Sequence, residues 1–345
     1  MSTADFAEFS DNAVMFASIV YILAFLAHLA EWVFLRSLPE PRLAAHVAAD
    51  QAAQTVVERV SVTVGAGPAE ISGDGVPGLS SAPRDTVARE LRVEKYGRIG
   101  VALTVVGCAL HLLGLVARGL GSDPVRVPWG NMYEFTLAGT LGVSVMYLAL
   151  LRRHHLRWMG ILVTAFLVVV LMLDVLVLYQ DAGPLVPALH SYWLVVHVLA
   201  AVIASGAFSV GALTLVLFLV KDRAVRRGSL RSGGYLSRLP EPVDMERVAY
   251  RLHAFGFPIW TFAALVAGPI WAEYAWGSYW NWDPKEVWAF ITWVVYAAYL
   301  HARATAGWKG RAASVIALLG FACLLFNFVG INYFFGAGSM HSYAK

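Results

Sequence analysis

Eight long apolar stretches constrain this chain more than any other feature of its sequence. They lie at roughly residues 13–36, 97–118, 133–151, 158–180, 191–220, 249–272, 285–303 and 312–335. Stretches of about 20 apolar residues are long enough to cross the hydrocarbon core of a bilayer as helices. Hydrophobic residues make up 59% of the chain, which is more than soluble domains usually contain. The sequence therefore predicts an all-α polytopic integral membrane protein with about eight transmembrane helices.

The basic residues predict the orientation of these helices. All but four of the 26 Lys and Arg residues lie in the connections that follow the first, third, fifth and seventh stretches. Short cytoplasmic loops carry such an excess of positive charge. We therefore expect both termini to lie outside the cytoplasm, in a multi-pass protein of the plasma membrane whose active site is on the extracytoplasmic face.

The N-terminal region differs in composition from the rest of the chain. Acidic rather than basic residues precede the first stretch, so it is predicted to be a retained anchor and not a signal peptide. Residues 62–83 are rich in Gly, Ser, Pro and Ala, as flexible linkers are. We therefore divide the chain into residues 1–95, an anchor at 13–36 followed by a flexible cytoplasmic linker, and a membrane domain at 96–345.

A dense run of aromatic residues separates the sixth and seventh stretches. Residues 276–288 read WGSYWNWDPKEVW and bring Trp276, Trp280 and Trp282 into one short loop. Tryptophan is common at any membrane interface, but one or two aromatic residues per helix end suffice for that role. The surplus favours a surface for a large, flat, apolar ligand. Pro284 is suited to the first turn of the helix that follows.

Histidines near the predicted outer ends of the helices are candidate metal ligands. His190 and His197 lie at the outer end of the fifth stretch, and His341 follows the eighth. Two imidazoles can ligate a haem iron from opposite sides. A single histidine here is more often an ordinary interfacial residue, so the haem hypothesis depends on their convergence at the tryptophan loop. Ser278, Tyr279 and Asn281 are candidates for hydrogen bonds to haem propionates or to a partner.

Inside the bilayer, ionisable residues need partners or a function. His301 lies at the cytoplasmic end of the seventh stretch, on the helix that follows the tryptophan loop, and is the preferred inner ligand. His28, three residues before Glu31, is a weaker candidate. Cys108 and Cys323 lie inside the second and eighth stretches, which favours a packing role over a disulfide.

The segment WGSYWNWDPKEVWAFITWVVYAAYLHAR resembles the WWD signature of the haem-handling proteins of cytochrome c maturation. The resemblance is to the CcsA/ResC type of the system II pathway, called CcsB in some bacteria. Other blocks resemble the family in the same order, and together they cover roughly residues 96–345. These blocks are RVPWGNMYE, LVPALHSYWLVVHV, YRLHAFGF and NFVGINYFFGAGSMHSY.

The resemblance implies that residues 96–345 handle haem. A member of this family moves or receives haem b and presents it outside the cytoplasm to apocytochrome c, where the two thiols of a CxxCH motif add to the vinyl groups. The resemblance also assigns roles to single residues of this chain. His197 and His341 match the outer axial ligands, with His190 as a rival to His197; Trp276, Trp280, Trp282 and Asp283 match the WWD platform; and His301 matches a transmembrane histidine.

The same resemblance implies a set of partners. System II synthases pair this type of chain with a ResB-type membrane protein, so we expect a subunit of a holocytochrome c synthase of the haem lyase type. A thioredoxin-like reductant would keep the apocytochrome thiols reduced. The chain would contact the lipid bilayer and no nucleic acid. It contains no evident nucleophile or phosphate-binding loop, so its contribution would be to position the reactants.

Two other classes of function remain possible at this point. A secondary transporter would use the intramembrane His and Asp residues as proton or substrate sites, but it usually has internal repeats, and none is clear. A membrane cytochrome for electron transfer would place histidine pairs at matched depth in the bilayer core. The outer position of the histidines favours presentation of haem over electron transfer.

Overall fold

Helices form the whole of the regular structure in the described part of this computed structural model. It describes residues 2–38, 84–152, 156–183, 189–231, 233–305, 307–335 and 339–341. The predicted linker at residues 62–83 lies outside these ranges, and its flexibility stays a prediction.

Ten α-helices follow one another along the described chain. They are α1 Thr3–Arg36, α2 Arg84–Leu120, α3 Met132–Leu151, α4 Gly160–Leu173, α5 Tyr192–Arg226, α6 Pro242–Phe262, α7 Gly268–Trp276, α8 Pro284–Ala304, α9 Arg311–Leu325 and α10 Ile331–Phe334. Short 3-10 segments at Leu156–Met159 and Leu236–Arg238 precede α4 and α6. Three π-helical segments also occur: Asp174–Leu178 extends α4, Ala263–Ala267 joins α6 to α7, and Phe326–Gly330 joins α9 to α10.

These helices coincide with the eight predicted stretches. Seven continuous helical segments among the described residues are long and apolar enough to cross a membrane. The remaining stretch, the seventh, is α8, whose 21 residues span about 30 Å. It is less apolar because it contains several Trp and Tyr residues and ionisable residues near both ends. The prediction of an all-α polytopic membrane protein is confirmed, and α2 extends further than predicted, starting at Arg84.

Hydrogen bonds between helix ends show which ends lie together. The Tyr179 hydroxyl donates to Asp11 at 2.8 Å, which joins the end of the α4 segment to the start of α1. The Asn332 amide donates to the sulfur of Met132 at 2.7 Å, which joins α10 to the start of α3. We call this the upper end of the molecule. The lower end holds the C-termini of α1, α3, α5 and α8.

The helices pack as two groups. In the first, α1 packs along α2 and against α4; in the second, α6 packs against α5 and α8, and α9 packs against α8 and α5. One cluster of buried apolar residues lies mainly in the first group but also includes Ala207 and Val210 of α5, and a second cluster lies mainly within the second group. Contacts of α3 with α2, α4 and α5 connect the groups, so the position of α5 relative to α3 fixes how the two groups meet.

Two glycines allow α3 and α5 to approach closely. A Cβ atom at Gly206 would lie 2.7 Å from the carbonyl oxygen of Gly142, and a Cβ at Gly142 would lie 2.8 Å from Cγ1 of Val202. Both distances are too short for real contacts. The junction is therefore of the small-residue type that lets membrane helices pack backbone to backbone.

Replacing Gly206 with alanine is expected to lower the free energy of unfolding by about 1–3 kcal/mol, because the added methyl group overpacks the junction. The matched control is Gly139→Ala on α3, where an added Cβ meets no atom within 4 Å. That change should be neutral or stabilise the helix by up to about 1 kcal/mol. Thermal unfolding in one detergent would compare the variants. Equal midpoints for both would contradict the close junction.

A buried ion network holds the upper end of the first helix group. The Glu134 carboxylate accepts from the guanidinium of Arg126 at 2.6 and 2.9 Å and from Arg118 at 3.2 Å. It also accepts from the backbone N–H of Gly130 at 2.7 Å. All three side chains are buried, and Arg118 lies 3.7 Å from Asp11 of α1. Because each buried charge has an opposite partner, the network fixes the ends of α1, α2 and α3 relative to one another.

Candidate functional site

The tryptophan loop, residues 277–283, is shaped by the caps of the helices on either side. Gly277 ends α7 in the left-handed conformation with φ 72°, which glycine adopts without strain. Asp283 begins α8 with a capping box in which its backbone N–H donates to Glu286 at 3.1 Å. The Glu286 carboxylate also accepts from the backbone N–H of Asn281 at 2.8 Å. The start of α8 therefore sets the conformation of the loop.

The loop presents aromatic side chains to its surroundings. Trp282 is 73% exposed and Tyr279 is 59% exposed, and Asn281 is exposed as well. The Trp282 ring lies edge-on to Trp280, with centroids 6.0 Å apart. Trp282 also has a φ of 57°, which is uncommon and unfavourable for a bulky residue. Such exposure of large rings is typical of a binding surface.

His341 is anchored to the start of α8 by one carboxylate. Its Nδ1 atom lies 3.0 Å from Oδ1 of Asp283. The same carboxylate accepts from the hydroxyl of Ser339 at 2.9 Å and from the backbone N–H of Met340 at 2.6 Å. Three bonds from residues 339–341 thus converge on a side chain that also caps α8.

These bonds determine the charge of Asp283. Burial alone would raise the pKa of its carboxyl group, but the hydrogen bond and charge of His341 outweigh burial, with help from the Lys285 N–H and Ser339, and lower the pKa to about 2. The carboxylate is ionised at neutral pH. Because it can only accept, Nδ1 of His341 is the donor.

His197 is oriented by the π segment on the neighbouring helix. Its Nδ1 atom lies 2.9 Å from the carbonyl oxygen of Ala263, the first residue of that segment. A carbonyl oxygen only accepts, so Nδ1 carries the proton. A Cβ atom at Gly268 would lie 3.1 Å from Nδ1, so the absence of a side chain there gives the ring its space.

Two indoles connect the histidines. Trp271 stacks on His197 with an interplanar angle of 15° and a centroid distance of 6.0 Å. It also packs edge to face with His341, with ring centroids 5.4 Å apart. The ring centroid of Trp276 lies 4.6 Å from that of His341 and 4.8 Å from that of Trp271. The structure thus brings together His197, His341, Trp276 and Asp283, four of the residues that the sequence predicted. We call them, with Trp271, the upper histidine cluster.

The cluster fits haem by the chemistry of its donors. In both histidines Nδ1 is bound to an oxygen acceptor, and neither Nε2 has a hydrogen bond within the described part of the chain. A metal-ligating histidine commonly donates its other N–H to a carboxylate or a carbonyl in this way. The walls around the two rings are indoles, which suit a flat apolar ligand.

The other predicted histidines lie elsewhere. His190 is exposed, and no described contact joins it to the upper histidine cluster. His301 is exposed at the lower end of α8, 18 residues beyond Asp283 and so about 27 Å away along the helix. His28 is buried on α1 with Nδ1 3.2 Å from Glu31. His46, His154 and His155 lie outside the described residues.

Two residues of the site carried only weak signals in the sequence. Trp271 appears there as one more interfacial aromatic, although it contacts both histidines. Glu286 holds the loop backbone at two points. The pattern of an acidic N-cap residue with Glu three positions later is the signature of a capping box, and it could have revealed Glu286.

Comparison with known proteins decides the family. The family described as Cytochrome C assembly protein matches residues 129–337, more than half of the chain. This chain belongs to that family. The match confirms the resemblance inferred from the tryptophan loop. The matched residues include His197, the tryptophan loop and His301. His341 lies just beyond the match, but its Nδ1 atom contacts Asp283, which lies within it.

Individual relatives of this cytochrome C assembly chain cover most of its length. The Cytochrome c biogenesis protein CcsA of Guillardia theta is 35% identical over 268 residues, which cover 73% of this chain and 87% of that protein. The protein of the same name from Picosynechococcus is 33% identical, covering 72% and 87%. That from Gloeobacter violaceus is 32% identical, covering 73% and 88%.

Proposed function

We propose that this chain holds haem b at its upper end, between His197 and His341, and presents it to apocytochrome c outside the cytoplasm. The coarser role, haem handling in cytochrome c biogenesis, follows from the family to which the chain belongs. The finer assignment is supported by one observation above all. Two histidines from distant parts of the chain contact the same indole. In each, Nδ1 is hydrogen-bonded to an oxygen atom, and Nε2 has no hydrogen bond among the described residues.

The proposed chemistry is the addition of a thiol to a vinyl group. A carbon–sulfur bond forms, the thiol hydrogen goes to the other vinyl carbon, and no group leaves. Such a step requires mainly that sulfur and vinyl be held in reach, which is catalysis by proximity and orientation. Trp271 and Trp276 would provide the flat wall, and Asp283 would fix the imidazole of His341. Trp280, Trp282, Tyr279 and Asn281 would contact the haem edge or the incoming apocytochrome.

The chemistry calls for one partner of this proposal, and the family resemblance implies another. A thioredoxin-like reductant would keep the substrate thiols free, because a disulfide cannot add to a vinyl group. A ResB-type membrane protein would complete a synthase of which this chain is one subunit. The exposed His301 at the lower end would ligate haem together with a group from that partner. The upper end would then be the extracytoplasmic face of the plasma membrane.

The direct test is the visible spectrum of the chain purified with its partner in detergent. Reduction with dithionite should give the sharp α and β bands of low-spin iron with two histidine ligands. Co-purified haem should extract into acidified organic solvent, since it is not yet covalently bound. A complex that is intact but contains no haem after expression with added haem precursor would refute the proposal.

A further inference from the structure

A carboxyl group without a hydrogen-bond partner lies beside the ion network at the upper end. Asp174 is the first residue of the π segment that extends α4, and its side chain is fully buried, with 0% exposure. Neither of its carboxyl oxygen atoms has a hydrogen bond within the described part of the chain. Single π turns within longer helices are frequent at functional sites. Asp174 has no role in holding haem at the upper histidine cluster, so its burial needs another explanation.

The other buried carboxylates are well supplied with donors. Among the described residues they are Glu134, Glu246, Asp283 and Glu286. Each of these accepts at least two hydrogen bonds. Burying an ionised carboxylate without donors costs far more free energy than burying a neutral carboxyl group. The surroundings of Asp174 therefore favour the protonated carboxyl group.

The charges around Asp174 already balance without it. Arg118 and Arg126 supply two positive charges, and Glu134 and Asp11 supply two negative ones. Arg118 is the charged group whose field acts on Asp174. An ionised Asp174 would add a negative charge to this buried region, and a buried charge without a partner is strongly unfavourable. Arg118 would have to become that partner.

Arg118 can change partner without leaving Glu134 unpaired. It donates to Glu134 at 3.2 Å and to the backbone carbonyl oxygen of Gln180. Glu134 is held more closely by others, since it accepts from Arg126 at 2.6 and 2.9 Å and from the backbone N–H of Gly130 at 2.7 Å. Loss of the bond from Arg118 would therefore leave Glu134 with a charged partner and a backbone donor.

The same arginine connects the buried region to the chain beyond it and to solvent. Gln180, which accepts from Arg118, lies two residues after the π segment. Arg118 also lies 3.7 Å from Asp11, whose side chain is 41% exposed. Solvent protons therefore reach the partners of Arg118 without crossing the apolar core.

The titratable and charged groups around Arg118 and Asp174 come from every neighbouring element. They are Asp11 on α1, Arg118 on α2, Arg126 in the loop that follows, Tyr133 and Glu134 on α3, and Tyr179 and Asp181 beyond the π segment. His111 on α2 is also fully buried without a described hydrogen bond. Its ring packs on Tyr21 of α1, seven residues and so about 10 Å below Arg118 along the helix.

We propose that Asp174 is a proton-binding switch at the upper end. With the proton bound, Arg118 donates to Glu134 and Gln180, as in this structure. When the proton passes to solvent, the carboxylate attracts Arg118 away from the carbonyl group of Gln180, and the chain beyond the π segment loosens. That chain leads into α5, whose sixth residue is His197. The switch would make the upper end respond to the pH of the compartment that it faces.

The first measurement is infrared spectroscopy of the purified full chain in phosphatidylcholine nanodiscs, without haem because propionates absorb in the same region. At neutral pH the wild type should show the C=O stretch of a protonated carboxyl group, and ¹³C labelling of aspartate should shift it. The band should disappear as the pH is raised to about 10, which covers the range in which buried carboxyl groups lose their protons. Asp174→Asn should lack the band. Glu8→Gln, which changes an exposed carboxylate of α1, is the matched control and should keep it.

The second measurement is amide hydrogen exchange in residues 175–183. Above the pH at which the band disappears, the wild type should exchange at least about tenfold faster there than Asp174→Asn, because a hydrogen bond from a charged group contributes about that much. Below that pH the two proteins should exchange equally. Comparing them at each pH removes the intrinsic effect of pH on exchange.

Three results would overturn the inference. If the wild type and Asp174→Asn show the same carboxyl band, Asp174 holds no proton. If the band disappears while exchange in residues 175–183 stays equal in the two proteins, Arg118 does not respond. If Asp174→Asn fails to fold at neutral pH, the neutral form is not the native one, since an amide matches a protonated carboxyl group in shape and charge. None of these measurements uses haem, so this inference and the proposed function can fail independently.

Discussion

Replacing His341 with alanine is expected to abolish the low-spin haem spectrum and to reduce the yield of holocytochrome c by more than 100-fold. Loss of a group that merely orients a metal ligand already costs about 10–100-fold in affinity or activity, and loss of the ligand itself should cost more. His197→Ala should behave alike, because both rings contact Trp271. The measurements are the reduced visible spectrum and haem staining of the secreted cytochrome.

Two comparisons make this expectation specific. Free imidazole should enter the space left by either alanine and restore the low-spin bands. His190→Ala is the matched control: it removes another imidazole from the upper end, but an exposed one outside the cluster. If His190→Ala loses the spectrum while His197→Ala keeps it, the assignment of the ligand on this part of the chain is wrong.

The second large effect is expected for Asp283→Asn. Asparagine is about as good an N-cap as aspartate, so α8 should still start at the same residue. It lacks the negative charge that His341 contacts at 3.0 Å, and the ligand should become less basic. Haem affinity should fall by about 10–100-fold, and the midpoint potential should rise, since a weaker donor stabilises ferric iron less. Titration of the haem-free complex with haem measures the affinity, and redox titration of the loaded complex measures the potential.

The pH dependence of the same bond provides a check. The pKa of Asp283 is lowered from 3.8 to about 2, so its contribution to stability is complete above pH 3.8 and is lost as the pH falls through about 2. The contribution of Asp283 to stability should therefore stay nearly constant as the pH is lowered to about 4. Asp283→Ala, which also removes the cap, should lower thermal stability further than Asp283→Asn. If Asp283→Asn has wild-type affinity and potential, the carboxylate is only a helix cap.

The sequence predicts the helices well and the site in part, for physical reasons. Spans follow from apolar length alone, and the D-P-K-E pattern marks the start of α8, where Pro284 and Asp283 lie as expected. The contact between Asp283 and residues 339–341 joins positions 56 to 58 residues apart, and no local pattern encodes such a distance. The π segment that offers Ala263 to His197 has no local pattern that we recognised.

Helix α8 has a mechanical consequence. Asp283 at its first turn holds one proposed ligand, and His301 near its last turn is another. The about 27 Å between them nearly equals the thickness of the hydrocarbon layer. A helix is stiff along its axis, so α8 would hold the two proposed haem positions at a constant separation, one at each face of the membrane.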